Sequence, residues 1–107
     1  MTDRGAPRLT AAALGDLENI RTFTVETWGR ARWLDYFAGM EAVFARLGAD
    51  PRAGRPVEDL APGLRLVVYR SHAIFFHENR RGEVVVLRVL HQKRDVEALR
   101  WAEVMKG

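Results

Sequence analysis

Residues Arg65–Asp95, RLVVYRSHAIFFHENRRGEVVVLRVLHQKRD, decide the fold of this chain. Two apolar segments flank a turn at Asn79–Gly82, and a tight hairpin at Ser71 divides the first segment, so the pattern predicts three antiparallel strands. They are predicted at Leu64–Arg70, His72–Glu78 and Glu83–Leu90. The last strand contains VVVLRVL, and such a β-branched run is typical of a central strand that is buried on both faces.

Two helical patterns precede these strands. Apolar residues recur at spacings of three and four over Ala11–Thr27 and Arg30–Leu47, which predicts two amphipathic helices. Thr10 is the predicted N-cap of the first helix, and Gly29 is predicted to end it in a tight turn. The short connection makes the two helices an antiparallel hairpin. Asp16 is assigned to the polar face of the first helix.

The remaining segments complete the predicted fold. Proline cannot donate to a strand ladder, so Ala6–Leu9 is predicted to be a short strand at a sheet edge. Residues 1–5 are predicted to be disordered, residues 48–63 to form a Gly- and Pro-rich loop, and residues 96–107 to form a C-terminal helix or tail. This order predicts a single α+β domain over residues 1–107, in which the helix hairpin packs on a three- to four-stranded antiparallel sheet.

Composition limits the classes of function. The chain has no Cys, which excludes a disulfide framework and a thiolate zinc site. Its N-terminus lacks an apolar signal region, and no apolar run reaches the ~20 residues of a membrane helix. We therefore expect a cytoplasmic protein that does not contact a membrane. A net charge of +3 is too small to indicate nucleic-acid binding by itself, and no sequence-specific DNA binding by this chain alone is predicted.

A cluster of titratable and charged residues ends the third predicted strand: Arg88, His91, Lys93, Arg94 and Asp95. A His in this position is able to act as a general acid or base beside cations that stabilise an anionic transition state. The alternative, which composition alone favours, is that a strand entering water carries charged residues. Arg88 is the most informative member, because a charge within a buried strand needs a partner. Asp95, Glu83 or the carboxylate of a second protein are the candidates.

The other histidines do not extend this cluster. His72 follows the hairpin turn, and His77 lies at an odd spacing on the same predicted strand, so the two face opposite sides of the sheet. Local periodicity therefore does not bring the three histidines together, and neither a metal site nor a cofactor is predicted. The sequence also has no phosphate-binding glycine loop, nucleophile elbow or HExxH motif.

The aromatic residues are numerous for a chain of this length. Trp33 and Phe37 lie on one apolar stripe of the second helix, which is the pattern of a helix-hairpin core. Yet Trp28, Trp33 and Trp101 are many tryptophans for one small domain, and one of them is a candidate for exposure at a partner interface.

In its ordered motifs the chain resembles the toxins of type II toxin–antitoxin pairs, the RelE/ParE superfamily, and is more similar to the ParE branch. The resemblance covers roughly residues 8–95. It is carried by motifs at natural spacing: Leu9-Thr10, Ala13 to Ile20 with Asp16-Leu17, Trp28-Gly29, Phe44–Leu47, Pro51 with Gly54-Arg55, Pro62–Arg65, His72 with Ile74–Phe76, and Arg88–His91 with Asp95. The chain departs from the family at Arg94, where the family often has Met, and at Pro7 in the first strand.

The resemblance implies a function and two partners. ParE-branch toxins are associated with inhibition of DNA gyrase, and each is paired with a small antitoxin whose C-terminal segment wraps the toxin. We therefore expect a protein-binding inhibitor rather than a catalyst, in a hetero-oligomer with a ParD-like antitoxin that has a disordered acidic tail. The residues assigned to the gyrase contact are His72, Arg88, His91, Lys93, Arg94 and Asp95. Those assigned to the antitoxin are Trp33, Phe37, Arg65, Tyr69 and Arg70.

Two alternatives remain open from the sequence. The first is a RelE-type, ribosome-dependent mRNA endonuclease, whose catalytic residues would be Arg65, Arg88, His91 and Lys93. Against it, Ala73 follows His72 where RNase members commonly have a basic residue, and no Tyr lies near the C-terminus. The second is an inactive member that only binds its antitoxin and co-regulates their operon.

Overall fold

The computed structural model describes residues 6–91 and 100–106. Two long helices precede a five-stranded sheet whose strands lie in the order β1-β5-β4-β3-β2. The elements, in chain order, are β1 (Arg8–Leu9), α1 (Ala11–Trp28), α2 (Arg30–Ala49), β2 (Arg55–Pro56), β3 (Arg65–Tyr69), β4 (His72–Glu78), β5 (Val84–His91) and α3 (Trp101–Val104). The predicted α+β class and the helix hairpin are confirmed.

Capping residues set the ends of the helices. The side-chain oxygen of Thr10 accepts the backbone N–H of Ala13 at 3.0 Å, so Thr10 is the N-cap of α1, as predicted. Gly29 has a φ of 95° and separates α1 from α2 with a single residue. A side chain is strained at this positive φ, which explains why glycine makes the turn. The second helix runs two residues beyond the predicted end and reaches Ala49.

The sheet is larger than the sequence pattern indicated. The three predicted strands are present as β3, β4 and β5, and they pair antiparallel. The edge strand predicted at Ala6–Leu9 is present as β1, which pairs parallel with β5. In addition, β2 pairs antiparallel with β3 within the segment predicted to be a loop. The sheet is therefore mixed and five-stranded rather than antiparallel with three or four strands. Strands of two residues are too short to show an alternating pattern.

Both faces of the sheet are covered. The helices pack on one face through a core that includes Met40, Phe44 and Leu47. The loop before β3 and Trp101 of α3 cover the other face. As predicted, β5 is buried on both faces, with only Arg88 and His91 partly exposed. The predicted C-terminal helix is a four-residue helix in the described part of the chain, and residues 96–99 of that prediction lie outside the described residues.

A bulge in β5 changes the direction of its side chains. Phe75 of β4 pairs with Arg88, whereas Phe76 pairs with Val86, so Leu87 is an extra residue on β5. A bulge re-aims the residues that follow it. As a result, the consecutive residues Arg88 and Val89 both meet the helix side of the sheet: Arg88 binds a side chain of α1, and Val89 packs into the helix-side core.

No helix within the described part of the chain is long and apolar enough to cross a membrane.

Candidate partner-binding groove

A groove of about 790 Å³ lies between the helix hairpin and the end of the sheet. We call it the helix–sheet groove. Its walls come from α1, the start of α2, the β3–β4 turn and the last residues of β5. The lining residues are Asp16, Asn19, Ile20, Phe23, Thr24, Trp28, Arg32, Tyr36, Ser71, His72, Arg88, Val89, Leu90 and His91.

At the floor of the groove, the Asp16 carboxylate of α1 binds two residues of β5. Asp16 accepts hydrogen bonds from Arg88 Nε at 2.7 Å, Arg88 Nη2 at 2.8 Å and the backbone N–H of Val89 at 2.9 Å. Three donors satisfy a nearly buried carboxylate, which would otherwise be costly to bury. Arg88 thus has a carboxylate partner, as predicted, but Asp16 was not among the predicted candidates. The assignment of Asp16 to a polar, exposed helix face is wrong, because Asp16 is buried against β5.

The same α1 segment completes the edge of β5. The pairing of β1 with β5 ends after Leu9, and the chain then turns into α1. The Thr10 hydroxyl donates to the carbonyl of Leu87 at 2.9 Å, and Asp16 accepts from Val89 two residues later. Side chains of α1 therefore replace the missing strand and satisfy backbone groups that would otherwise be buried without partners.

Two histidines meet at the sheet end of the groove. His72 of β4 pairs directly with His91 of β5, and their ring centroids are 5.8 Å apart in an edge-to-face arrangement. Local periodicity did not indicate this pair, because it cannot detect cross-strand pairing. The three histidines do not converge, as expected, since His77 pairs with Val85 and lies outside the groove.

Tyr36 of α2 joins the helix hairpin to this pair. Its hydroxyl is hydrogen-bonded to His72 Nδ1 at 2.5 Å. Burial raises the pKa of the Tyr36 phenol above its usual value. Tyr69 adds a second link, since its hydroxyl donates to the backbone carbonyl of Tyr36 at 3.0 Å.

Exposed aromatic rings form the outer wall of the groove. Trp28 and Phe23 are 62% and 64% exposed, respectively, although both are large and apolar. The guanidinium carbon of Arg32 lies 5.2 Å from the centroid of the Trp28 ring. Trp28 is thus the exposed tryptophan that the composition suggested, while Trp33 and Trp101 are 8% and 7% exposed and belong to the interior.

The residues assigned to the antitoxin are not gathered in this groove. Trp33 is buried and stacks on Phe37, so it offers little surface to a partner. Arg70 lies next to the groove at the β3–β4 turn, with its Nε donating to the Tyr69 hydroxyl at 3.2 Å. Arg65 is at the other end of β3, where its guanidinium donates to the carbonyls of Arg52 and Gly54 at 3.2 and 2.5 Å.

The residues assigned to an RNase do not converge either, within the described part of the chain. Arg88 is committed to Asp16, and Arg65 lies four residues along β3 from Tyr69, the strand position beside His72. Lys93, together with Arg94 and Asp95 of the predicted gyrase contact, lies outside the described residues. His72, Arg88 and His91 are the assigned residues that do line the groove. No group of three metal-binding side chains occurs in residues 6–91 and 100–106.

The sequence pattern missed the outer wall of the groove. Phe23, Arg32 and Tyr36 were not assigned to a binding site. One signal was present: Phe23 lies off the stripe of α1 that contains Leu17 and Ile20, so a large apolar side chain was bound to face away from the main core.

Comparisons with known proteins place these features in a family. The model of the ParE toxin of the type II toxin–antitoxin system parDE matches residues 8–96. The chain is 35% identical over 89 residues to Toxin ParE1 of Mycobacterium tuberculosis, covering 83% of this chain and 91% of the relative. It is 32% identical over 99 residues to Toxin ParE of Escherichia coli, covering 92% of this chain and 95% of the relative.

The fold also matches a solved structure described as the chromosomal ParDE TA system from P. aeruginosa. The TM-score is 0.69 at 23% sequence identity, covering 83% of this chain and 98% of that chain. At this level of identity the match supports the similarity of fold.

Proposed function

Because this chain belongs to the ParE toxin family of type II toxin–antitoxin systems, we propose that it inhibits growth by binding DNA gyrase, and that a cognate antitoxin neutralises it by occupying the helix–sheet groove. The observation that carries this proposal is the chemistry of the groove. Exposed aromatic rings stand beside an arginine in a concave surface, which is the composition of a protein-binding hot spot.

The groove suits the acidic tail of an antitoxin. The carboxylate in its lining, Asp16, already has three donors, so it does not offset the charge of Arg32. An amphipathic, initially disordered segment would place apolar side chains against Phe23 and Trp28 and carboxylates toward the cations. Folding on binding would give the segment its register through these charge pairs.

The same groove contains part of the surface that we assign to the target. His72, Arg88 and His91 were assigned to the gyrase contact, and all three line the groove. A bound antitoxin would cover these side chains. Neutralisation would then follow from occlusion of the target surface, without a change in the fold of the toxin.

A ribosome-dependent mRNA endonuclease is the second candidate, and one observation favours it. Tyr36, His72 and His91 form a contiguous set of groups that are able to transfer protons. Against it, the cations assigned to that chemistry are committed elsewhere: Arg88 binds Asp16, and Arg65 binds backbone carbonyls at the far end of β3. We therefore keep inhibition by binding as the proposed function.

A plasmid supercoiling assay with purified gyrase tests the proposal. We expect the protein to inhibit supercoiling or to trap cleaved DNA, and the antitoxin encoded beside it to relieve the effect. The His91→Ala variant is expected to lose inhibition. His77→Ala is the matched control, because His77 is also a half-buried strand histidine but lies outside the groove.

The outcomes separate the candidates. Equal inhibition by the His91→Ala and His77→Ala variants would remove His91 from the working surface. If gyrase is unaffected by folded protein, mapping of transcript 5′ ends after induction decides between the remaining readings. Codon-linked cuts would establish the endonuclease, and normal growth without cuts would establish an inactive member that only binds its antitoxin.

A further inference from the structure

We propose that Arg32, held over the ring of Trp28, is the residue through which the helix–sheet groove selects its antitoxin. It binds a carboxylate of an amphipathic antitoxin segment whose neighbouring apolar side chain lies against Phe23 and Trp28. This inference rests on the proposed function, since it names the contact that gives the antitoxin its specificity.

The turn between α1 and α2 brings Trp28 and Arg32 together. Trp28 is the last residue of α1, and Arg32 lies in the first turn of α2. Gly29, with a φ of 95°, reverses the chain between them, so the indole and the guanidinium meet with 5.2 Å between the ring centroid and Cζ. Stacking on an aromatic face leaves the in-plane N–H groups of a guanidinium available as donors.

The positive charge of Arg32 is not neutralised by an ion pair with any described residue. The ion pairs within residues 6–91 and 100–106 join Arg21 to Glu18 and Arg88 to Asp16. Arg32 therefore contacts no carboxylate in the described part of the chain. Because the Trp28 ring already restricts the guanidinium, a carboxylate that binds there costs less side-chain entropy than one that must order a mobile arginine.

The surrounding surface indicates what accompanies the carboxylate. Phe23 and Trp28 are more than half exposed, and Ile20 lies beside them in the same wall. Buried aromatic and arginine side chains are the typical anchors of a protein interface. A partner segment with one apolar side chain next to an Asp or Glu would pack against this wall and bind the Arg32 guanidinium.

A single-stranded nucleic acid is the other ligand that stacks on aromatic rings. Such a ligand needs a row of cations along its backbone. Among residues 6–91 and 100–106, the arginines that line this groove are Arg32 and Arg88, and Arg88 is bound to Asp16. Within that part of the chain the groove thus offers Arg32 as a single point charge, which fits one carboxylate better than a chain of phosphates.

The test compares two charge reversals on the same helix. Arg32→Glu and Arg30→Glu change the net charge equally, and both residues are exposed in the first turn of α2. Titration calorimetry with the purified antitoxin encoded beside this chain is expected to show affinity weakened roughly ten- to hundredfold by Arg32→Glu and less than about twofold by Arg30→Glu. Circular dichroism of both variants verifies the fold.

Two further variants distinguish the stacked pair from charge alone. Arg32→Lys keeps the charge but loses the planar group, so we expect an intermediate affinity. An antitoxin in which one groove-binding Asp or Glu is replaced by Arg is expected to bind Arg32→Glu better than it binds the unchanged toxin.

Each outcome bears on a separate claim. Equal affinities of Arg32→Glu and Arg30→Glu overturn the role of Arg32 while leaving the antitoxin pairing intact. Failure of the unchanged toxin to bind the antitoxin overturns the proposed function itself and this inference with it. Binding of a single-stranded oligonucleotide that Arg32→Glu abolishes, and that displaces the antitoxin, would replace the peptide ligand by a nucleic acid.

Discussion

Asp16 and Arg88 are 72 residues apart in the sequence, yet they form a two-pronged ion pair that ties α1 to β5 at the point where β1 ends. The carboxylate also accepts the N–H of Val89, so it serves both a side chain and a strand edge. This arrangement joins α1 to β5 at the helix–sheet groove, whose lining includes both Asp16 and Arg88.

Removal of the Asp16 carboxylate is therefore expected to destabilise the fold. The Asp16→Ala variant removes the acceptor of three hydrogen bonds, two from Arg88 and one from the Val89 N–H, and we expect the free energy of unfolding to fall by roughly 2–4 kcal/mol. The Asp16 and Arg88 side chains are only 10% and 22% exposed, so water replaces little of the loss. Urea denaturation measures the change. The double variant Asp16→Leu/Arg88→Met should lose less than the sum of the single changes, and a sum that is strictly additive would argue against coupling.

Two glycines in the helices are expected to respond in opposite directions to alanine. A Cβ at Gly39 would lie 2.0 Å from the Tyr69 hydroxyl and 2.8 Å from Tyr69 Cζ, so the ring must move and lose its bond to α2. We expect Gly39→Ala to cost about 1–3 kcal/mol. Nothing lies within 4 Å of a Cβ at Gly15, and Gly15→Ala should gain about 0.5–1 kcal/mol from helix propensity. Thermal denaturation of both variants would show a shift of the same sign if the close approach of Tyr69 were unimportant.

Substitutions of Trp33 and Trp28 are expected to affect different properties, stability in the first case and antitoxin binding in the second. Trp33 is buried, and Trp33→Ala is expected to cost roughly 3–5 kcal/mol of stability. Trp28 is mostly exposed, and Trp28→Ala should cost less than about 1 kcal/mol, including its contact with Arg32. We expect Trp28→Ala to remain folded but to bind the antitoxin poorly, measured by co-purification and calorimetry. Full affinity of a folded Trp28→Ala variant would show that the outer wall is not part of the interface.

His77 gives the fold a dependence on pH. Burial lowers the pKa of His77 below the 6.5 that is usual for histidine, so the folded state favours the neutral imidazole. The unfolded chain binds the proton first as pH falls through 6.5, and stability is lost from there down to the folded pKa. His77→Gln does not titrate, so its melting temperature relative to the unchanged protein should rise between pH 8 and pH 5. The effect is small because His77 is half exposed, and a constant difference across that range would contradict it.

Local patterns were sufficient for the elements that bury a regular face. The alternation and β-branched content of residues 64–90 predicted β3, β4 and β5, and Thr10 and Gly29 marked the start and end of α1. Pro7 indicated the edge strand that is present as β1, but Arg55–Pro56 was not predictable as a strand, because it contains too few residues to display a period.

The groove was harder to predict, because it depends on pairs that are distant in sequence. The partner of Arg88 is on α1, and Asp16 was misassigned because the bulge at Leu87 changes which residues of β5 face the helices. His72 and His91 meet through strand register, which no spacing within one strand reveals. The resemblance to a family indicated the function, while these contacts define the surface that is available to perform it.

The position of β5 beside β1 also matters while the protein is being made. A ribosome releases α1 and α2 long before it releases Val84–His91, yet both β1 and Asp16 need that last strand to complete their contacts. Until then the helix hairpin has no sheet to cover, and neither the paired histidines nor the floor of the groove exists. A chain that stops before Val84 would thus lack β5 and the surface that we propose binds the partners. The groove is therefore complete only near the end of translation, once β5 has left the ribosome.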